Sequence, residues 1–125
     1  MSRNMIEEKI NRNSEDHVLH NEITAHFVKS HLEFVVLSIL YDEPMCGKDV
    51  TEIIYEKFGI LVSPGTMYPL LKKLERHGLV RCERGIKRNT YVISDKAKAR
   101  WILSKCTEAC ASIMQFIKIR IGNRN

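Results

Sequence analysis

The segment from Ser63 to Ser94 constrains the fold more than any other part of the sequence. It opens with SPGTMYPLLKKLERHG, which carries both a start and a stop signal for a helix. Ser63 can cap the first free N–H groups, Pro64 fits the first helical position, and Gly78 can adopt the left-handed conformation that ends a helix. Three apolar residues recur at helical spacing and predict the buried stripe: Met67, Leu71 and Leu74.

The rest of this segment has the chemistry of a nucleic-acid surface. The polar face of the helix carries Thr66, Tyr68, Pro69, Lys72, Lys73 and Arg76. Residues 79–84 then alternate, 85–89 predict a turn, and 90–93 predict a return strand, with Arg84, Lys87 and Arg88 at the tip. A helix followed by a basic hairpin is the layout of a winged helix-turn-helix, whose helix enters the major groove while its wing touches the phosphate backbone.

Charge is distributed in the way that this interpretation requires. The net charge is +5, but residues 1–62 hold 6 Lys/Arg against 11 Asp/Glu, whereas residues 63–93 and 94–125 each hold 7 against 2. Basic clustering is typical of nucleic-acid binding. A solvated basic surface is the alternative, and the helix and hairpin favour double-stranded DNA as the partner.

The upstream sequence predicts two further helices and a short strand. Ser30 and Glu33 match a capping box that opens an apolar helix ending before Pro44. Gly59 stops the next helix, which begins at about Gly47. The predicted inward residues are Leu32, Val35, Val36, Ile39 and Leu40 in the first helix, and Val50, Ile53, Ile54 and Phe58 in the second. Residues 60–62 (Ile-Leu-Val) predict a small strand that pairs with the hairpin.

The N-terminal residues and Pro69 are less regular. The first dozen residues are expected to be frayed, and a short helix is predicted after Ser14, with Leu19, Ile23 and Phe27 on one face. Pro69 removes a helical hydrogen bond to the carbonyl of Gly65. Either the helix begins near Thr66 or its first turn is distorted.

The last segment predicts a long helix that pairs with a second copy. It begins at a cap formed by Ser94 and Asp95 and continues without Gly or Pro to Ile121. The stripe that we expect to form a homodimer contains Leu103, Cys106, Cys110, Ile113 and Ile117, at 3-4 spacing. A basic amphipathic helix also suits a membrane surface, but the heptad spacing favours a partner helix.

These elements predict a mainly α fold with a small β-hairpin, formed by a winged helix-turn-helix domain and a long C-terminal dimerisation helix. The expected divisions of the 125 residues are a partly helical N-terminal extension (1–29), the DNA-binding domain (30–93) and the dimerisation helix (94–125). No apolar run approaches the roughly 18 residues that span a bilayer. Because the N-terminus is polar, we expect a cytoplasmic protein without a membrane partner.

Several residues invite sharper hypotheses. Cys106 and Cys110 lie four apart and suit either metal or redox sensing, but packing is favoured because no His accompanies them. Trp101 suits either a flat small-molecule effector or, as we favour, anchoring of the last helix. Four histidines (His17, His20, His26 and His31) are interpreted as surface residues. We expect no metal, no cofactor and, since phosphate loops and nucleophile motifs are missing, no enzymatic activity.

The central motif resembles a known family. SPGTMYPLLKKLERHGLV is similar to the SPGTLYPxLxRLExxGLI signature of the PadR family of bacterial and archaeal transcriptional regulators. LEFVVLSIL-YDEP-MCGKDV and YVISDKAK resemble the family's flanking motifs, so the likeness runs from about Leu32 to Lys98. It departs at Cys46, Lys48 and Ala97, where the family often has His, Tyr and Gly.

The resemblance implies a dimeric winged-helix regulator, usually a repressor, whose long C-terminal helix forms the dimer. By position, the DNA-facing start of the recognition helix would contain Ser63, Gly65, Thr66, Tyr68, Pro69 and Lys72, and the wing would contain Lys87 and Arg88. The first turn lacks Asn, Gln and Arg, so we expect specificity to depend partly on DNA shape. An assembly module without specific DNA binding is the alternative function.

Overall fold

The computed structural model describes the backbone of residues 5–122 and the side chains of residues 15–122. In chain order the elements are α1 (Met5–Ser30), α2 (Leu32–Asp42), α3 (Gly47–Phe58), α4 (Pro64–Arg76), β1 (Val80–Glu83), β2 (Thr90–Ile93) and α5 (Lys96–Gly122). The two strands form an antiparallel hairpin that pairs Val80 with Ile93 and Glu83 with Thr90. This confirms the predicted fold class of a mainly helical winged domain followed by a long helix.

The core forms around α2, which packs against α1, α3, α4, β2 and α5. The most deeply buried large side chains of the core are Val36, Leu37, Leu40, Val50, Ile54, Met67, Leu71 and Val80. The predicted stripe of α4 is confirmed, since Met67, Leu71 and Leu74 are all buried. In α2, Leu37 is buried because neighbouring elements cover this helix on several sides. The predicted inward residues Val35 and Ile39 are only partly buried. In α3, Ile53 and Phe58 are more than one-third exposed, so its stripe is narrower than predicted.

The helix ends agree in part with the sequence signals. Gly59 and Gly78 adopt positive φ angles of 69° and 73° after α3 and α4, as predicted. The Asp95 carboxylate accepts a hydrogen bond from the Lys98 amide at 3.0 Å, which confirms the Asp95 part of the predicted α5 cap, whereas the Ser94 hydroxyl donates to the Gly78 carbonyl at 2.8 Å. Ser63 occupies the capping position of α4, but its hydroxyl donates to Thr66 Oγ1 (3.3 Å) instead of accepting from the backbone.

The predicted capping box at Ser30 is wrong. Ser30 is the last residue of α1, and His31 takes the position before α2 without a side-chain cap. The Glu33 carboxylate instead accepts a hydrogen bond from Lys73 Nζ at 2.7 Å. A capping serine needs extended backbone, which the continuation of α1 through Ser30 prevents.

The predicted strand at residues 60–62 is also wrong. Ile60 and Val62 are buried and Leu61 is 78% exposed, without pairing to the hairpin. The third partner of the sheet is Met45, which exchanges two backbone hydrogen bonds with Tyr91 (3.3 and 2.9 Å). The connection between α2 and α3 thereby attaches β2, near the loop end of the hairpin, to the start of α3.

The terminal helices extend beyond the core. α1 is one continuous helix from Met5 to Ser30, because no Gly or Pro interrupts these residues. The prediction of a frayed N-terminal segment followed by a short helix after Ser14 is therefore wrong from Met5 onward. Residues 1–4 lie outside the described backbone. α5 has 27 residues, or about 40 Å at 1.5 Å per residue. Within residues 5–122, no single helix is long and apolar enough to cross a membrane; by length and composition, only the pair Glu15–Ser30 and Leu32–Asp42, bent by 76°, passes that test.

Candidate nucleic-acid interface

The outer face of α4 presents the residues that the sequence assigned to DNA. Gly65, Thr66, Tyr68, Pro69, Lys72 and Arg76 are all exposed. The helix begins at Pro64, so Thr66 is not its start. The amides of Thr66 and Met67 both donate to the Ser63 carbonyl (3.0 and 2.9 Å), a shared bond that tightens the first turn. Because Pro69 has no N–H, it cannot donate the helical hydrogen bond to the Gly65 carbonyl.

The wing is a short loop from Arg84 to Asn89 between β1 and β2, and all of its residues are exposed. A Cβ atom at Gly85 would lie 2.5 Å from the Arg88 carbonyl oxygen, closer than any real contact. Glycine is therefore required for the loop to close in this form. Ile86 stands at the tip, fully exposed.

A basic cavity lies where the wing, α3 and α4 meet. It has a volume of about 710 Å³ and is lined by Cys46, Lys48, Tyr68, Lys87, Arg88 and Asn89. Three cationic side chains thus surround an open concavity beside the exposed face of α4. The start of α3 adds the positive end of a helix dipole at the same place. Such a surface attracts phosphate groups. Lys48 was noted in the sequence only as a departure from the family pattern.

Tyr68 is positioned by Gly47, which the sequence reasoning missed as a site residue. A Cβ atom at Gly47 would lie 3.0 Å from Tyr68 Cε1 and 3.2 Å from its hydroxyl oxygen. The ring therefore packs directly over the first residue of α3 while remaining 45% exposed. The sequence signal for this contact was a glycine at the first position of α3.

Two predicted DNA-binding cations are engaged within the protein. Lys73 pairs with Glu33 of α2 at 2.7 Å and lies five positions after Tyr68, about 140° around the helix, so it is directed away from the basic cavity. Arg88 Nη1 contacts Cys46 Sγ at 3.6 Å and Asp49 Oδ2 at 3.4 Å. Its contacts with Cys46 and then Asp49 raise the pKa of Arg88.

The candidate dimer and sensing residues separate into two groups along α5. Leu103 packs against the core, and Cys106 and Cys110 are partly buried beside it. These three residues line an apolar cavity of about 380 Å³ that also includes Phe27, Val28, His31, Phe34, Val35, Ser38 and Thr107. Ile113 and Ile117 are 56% and 42% exposed.

The sensing hypotheses are constrained by these environments. Trp101 is 62% exposed, so the predicted anchoring role is wrong; Ala99, Ile102 and Leu103 hold α5 on the core instead. Burial, with a smaller contribution from Cys110, raises the pKa of the Cys106 thiol and so disfavours the reactive thiolate. Among the described side chains, all four cysteines are free, and no group of three or more His, Cys, Asp or Glu could hold a metal ion.

Comparison with known proteins places this geometry in a family. The model for the transcriptional regulator PadR-like family matches residues 36–101, from the middle of α2 to the start of α5. The chain belongs to the PadR-like family.

Curated relatives of this PadR-like chain are named as transcriptional activators. Transcriptional activator GvpE2 of Halobacterium salinarum is 34% identical over 83 residues, which cover 66% of this chain and 42% of that protein. Transcriptional activator GvpE of Haloferax mediterranei is 38% identical over 63 residues, which cover 50% and 33% respectively. The PadR-like chain thus spans less than half the length of these relatives.

Solved structures share the fold. A PadR-family transcriptional regulator from Eggerthella lenta superposes with a TM-score of 0.62 at 22% identity, covering 84% of this chain and 96% of that one. A PadR-like transcriptional regulator from Bacillus cereus gives 0.63 at 21% identity, covering 77% and 96%. At these identities the likeness shows the winged-helix fold of the PadR-like chain.

Proposed function

We propose that this PadR-like transcriptional regulator binds double-stranded DNA in a sequence-specific manner as a homodimer. The observation that carries the proposal is the basic cavity between the wing, α3 and α4, next to an exposed polar face of α4. Each α4 would enter a major groove, and each wing would contact the adjacent phosphates. The membership in a family of transcriptional regulators supports this use of the surface.

The individual contacts follow from the side chains on this face. Lys72 supplies a point charge and Tyr68 a phenolic hydroxyl to the phosphates, while Lys48, Lys87 and Arg88 line the cavity through which the backbone would pass. Arg76, at the end of α4, is the arginine of this face. Because the first turn lacks a bidentate base reader, DNA shape contributes to specificity.

The homodimer is proposed from apolar faces that the single chain leaves exposed. On α1 these are Val18, Leu19, Ile23 and Phe27, and on α5 they are Ile113, Met114, Phe116, Ile117 and Ile121, all at least 38% exposed. Many large apolar side chains exposed along two helices are typical of an interaction site. A two-fold dimer would place its half-sites about 34–36 Å apart or at a multiple of that distance.

A charge reversal distinguishes this proposal from an assembly module. Lys72→Glu with Lys87→Glu should abolish binding to a duplex selected by the wild-type protein, because two phosphate contacts become repulsive. Lys57→Glu is the matched control for Lys72→Glu alone, since it reverses one charge in the last turn of α3, at the opposite end from the basic cavity. Fluorescence anisotropy across salt concentrations measures both. Unchanged DNA binding in the double variant would contradict the proposal and favour the assembly module.

The family resemblance and the names of the curated relatives indicate opposite directions of regulation. The resemblance implied repression, and the curated relatives are named activators. Repression therefore stays a prediction. A cytoplasmic location and a small-molecule effector also stay predictions. A reporter gene placed downstream of the selected DNA site measures the direction, since expression falls with a repressor and rises with an activator.

A further inference from the structure

We infer that Asp49 is a positioning residue for DNA binding: its carboxylate holds one edge of the Arg88 guanidinium so that the other edge faces a DNA phosphate. The inference rests on the proposed function and deepens it, because it names a residue that acts without touching DNA. Asp49 pairs with Arg88 at the edge of the basic cavity, whereas the other charged residues of a second cavity that it lines are acidic: Glu43, Glu52 and Glu56.

The contacts of Arg88 leave part of its guanidinium open. Both the bond to Asp49 Oδ2 (3.4 Å) and the bond to Cys46 Sγ (3.6 Å) use the same nitrogen, Nη1. Within the described side chains, Nη2 and Nε make no hydrogen bond. Arginine has five N–H groups in a rigid plane, so fixing one terminal nitrogen fixes the direction of the others. The side chain is 66% exposed and lines the basic cavity, which is where the open edge can meet a phosphate.

This contact also helps to hold the wing against the helical part of the domain. The second residue of β2, close to the wing loop, is attached by the backbone pair between Met45 and Tyr91. Apart from the two bonds of Arg88 Nη1, to Asp49 Oδ2 and to Cys46 Sγ, residues 84–89 form no side-chain hydrogen bond or ion pair with the rest of the described chain. The Arg88 side chain spans 39 positions in sequence to reach Asp49 on α3. Loss of the carboxylate would therefore leave the guanidinium held only by its long contact with Cys46 Sγ, and would loosen the loop that carries Lys87.

Simple electrostatics predicts the opposite effect. Removing a carboxylate from the edge of the basic cavity reduces repulsion of phosphates, so a charge count predicts tighter binding by a variant without Asp49. A positioning role predicts weaker binding, because the ordering of Arg88 is lost. The sign of the change therefore decides between the two.

The experiment compares Asp49→Ala with Glu52→Ala, measured by anisotropy on the duplex that the wild-type protein selects. Glu52 lies on the same helix, is exposed and forms no ion pair among the described residues, so it removes the same charge without a positioning contact. Asp49→Ala should weaken binding about two- to fivefold, the range that exposed ion pairs provide. Glu52→Ala should leave affinity unchanged or raise it. Asp49→Asn, which keeps an acceptor for Nη1, should lie between Asp49→Ala and the wild type.

A double-variant cycle with Arg88→Ala isolates the contact. Once Arg88 is absent, Asp49→Ala should no longer weaken binding, whereas a general effect on α3 would persist. Tighter binding by Asp49→Ala, or equal weakening with and without Arg88, would overturn the positioning role while leaving the proposed function intact. If the wild-type protein selects no duplex and Lys72→Glu changes nothing, the proposed function fails and the inference fails with it.

Discussion

Gly65 offers a substitution whose effects on folding and on DNA binding should have opposite signs. It is the second residue of α4, its φ angle is not positive, and a Cβ atom there would meet only Ser63 Oγ at 3.8 Å, an ordinary contact. The free chain therefore has no need of glycine at this position. The residue also lies on the exposed first turn, where a missing side chain allows the backbone to approach DNA closely.

The two magnitudes follow from these contacts. Replacing Gly by Ala where the backbone permits it stabilises a protein by about 0.4–1 kcal/mol, because the unfolded chain loses freedom. For a chain of this size that raises the melting temperature by roughly 2–6 °C. A methyl group forced against a phosphate in a close interface costs about 1–3 kcal/mol, comparable with overpacking a core. Affinity for the selected duplex should then fall about fivefold or more.

The assays are thermal unfolding by circular dichroism and anisotropy on the selected duplex. Gly122→Ala is the matched control, since no atom lies within 4 Å of its Cβ position, at the end of α5. A lower melting temperature for Gly65→Ala would refute the packing argument. Wild-type affinity for DNA would refute the close approach of the first turn.

Three further predictions concern the dimer, alkaline pH and the thiols. If the proposed dimer forms through α5, Ile113→Ala should weaken it about tenfold or more in sedimentation equilibrium, because each protomer loses roughly half of the ~1.5–3 kcal/mol that burying Ile provides. Ile86→Ala, at the fully exposed wing tip, should leave the proposed dimer unchanged. Burial, followed by Cys82, raises the pKa of Tyr91 to about 12, above the ~10 of an unfolded chain. The stability that comes from the raised pKa of Tyr91 is complete below pH ~10 and is lost between about pH 10 and pH 12. Tyr91→Phe should therefore flatten the loss of unfolding free energy in that window, whereas Tyr55→Phe should not. Iodoacetamide should modify Cys106 more slowly in the folded protein than in urea, and equal rates would contradict its packing role.

The sequence predicted those parts of the fold that depend on local pattern. α3 and β2 begin and end where predicted, because the glycine stop and the strand alternation are local signals. Met67, Leu71 and Leu74 are buried because helical spacing determines which side chains share a face. The exposed face of α4 was predicted from the same helical spacing. The wing cations were predicted from their position in the turn between two strand patterns.

The remaining features depend on positions far apart in sequence. Met45 replaced residues 60–62 as the third strand partner because tertiary position, not β-propensity, selects the neighbour of β2. The pairs Lys73–Glu33 and Arg88–Asp49 join residues 40 and 39 positions apart. The orientation of Trp101 depends on which face of α5 meets α2, and Ala99 takes that face.

The most direct test of the account is selection of bound sequences from a random duplex pool by the purified protein, followed by affinity measurements for the winning sequence across salt concentrations. A dimeric winged-helix regulator should enrich an inverted repeat, and the logarithm of its affinity should fall with the logarithm of salt at a slope of about −0.9 per phosphate contacted. Failure to enrich any sequence, together with weak binding that Lys72→Glu does not change, would contradict the account.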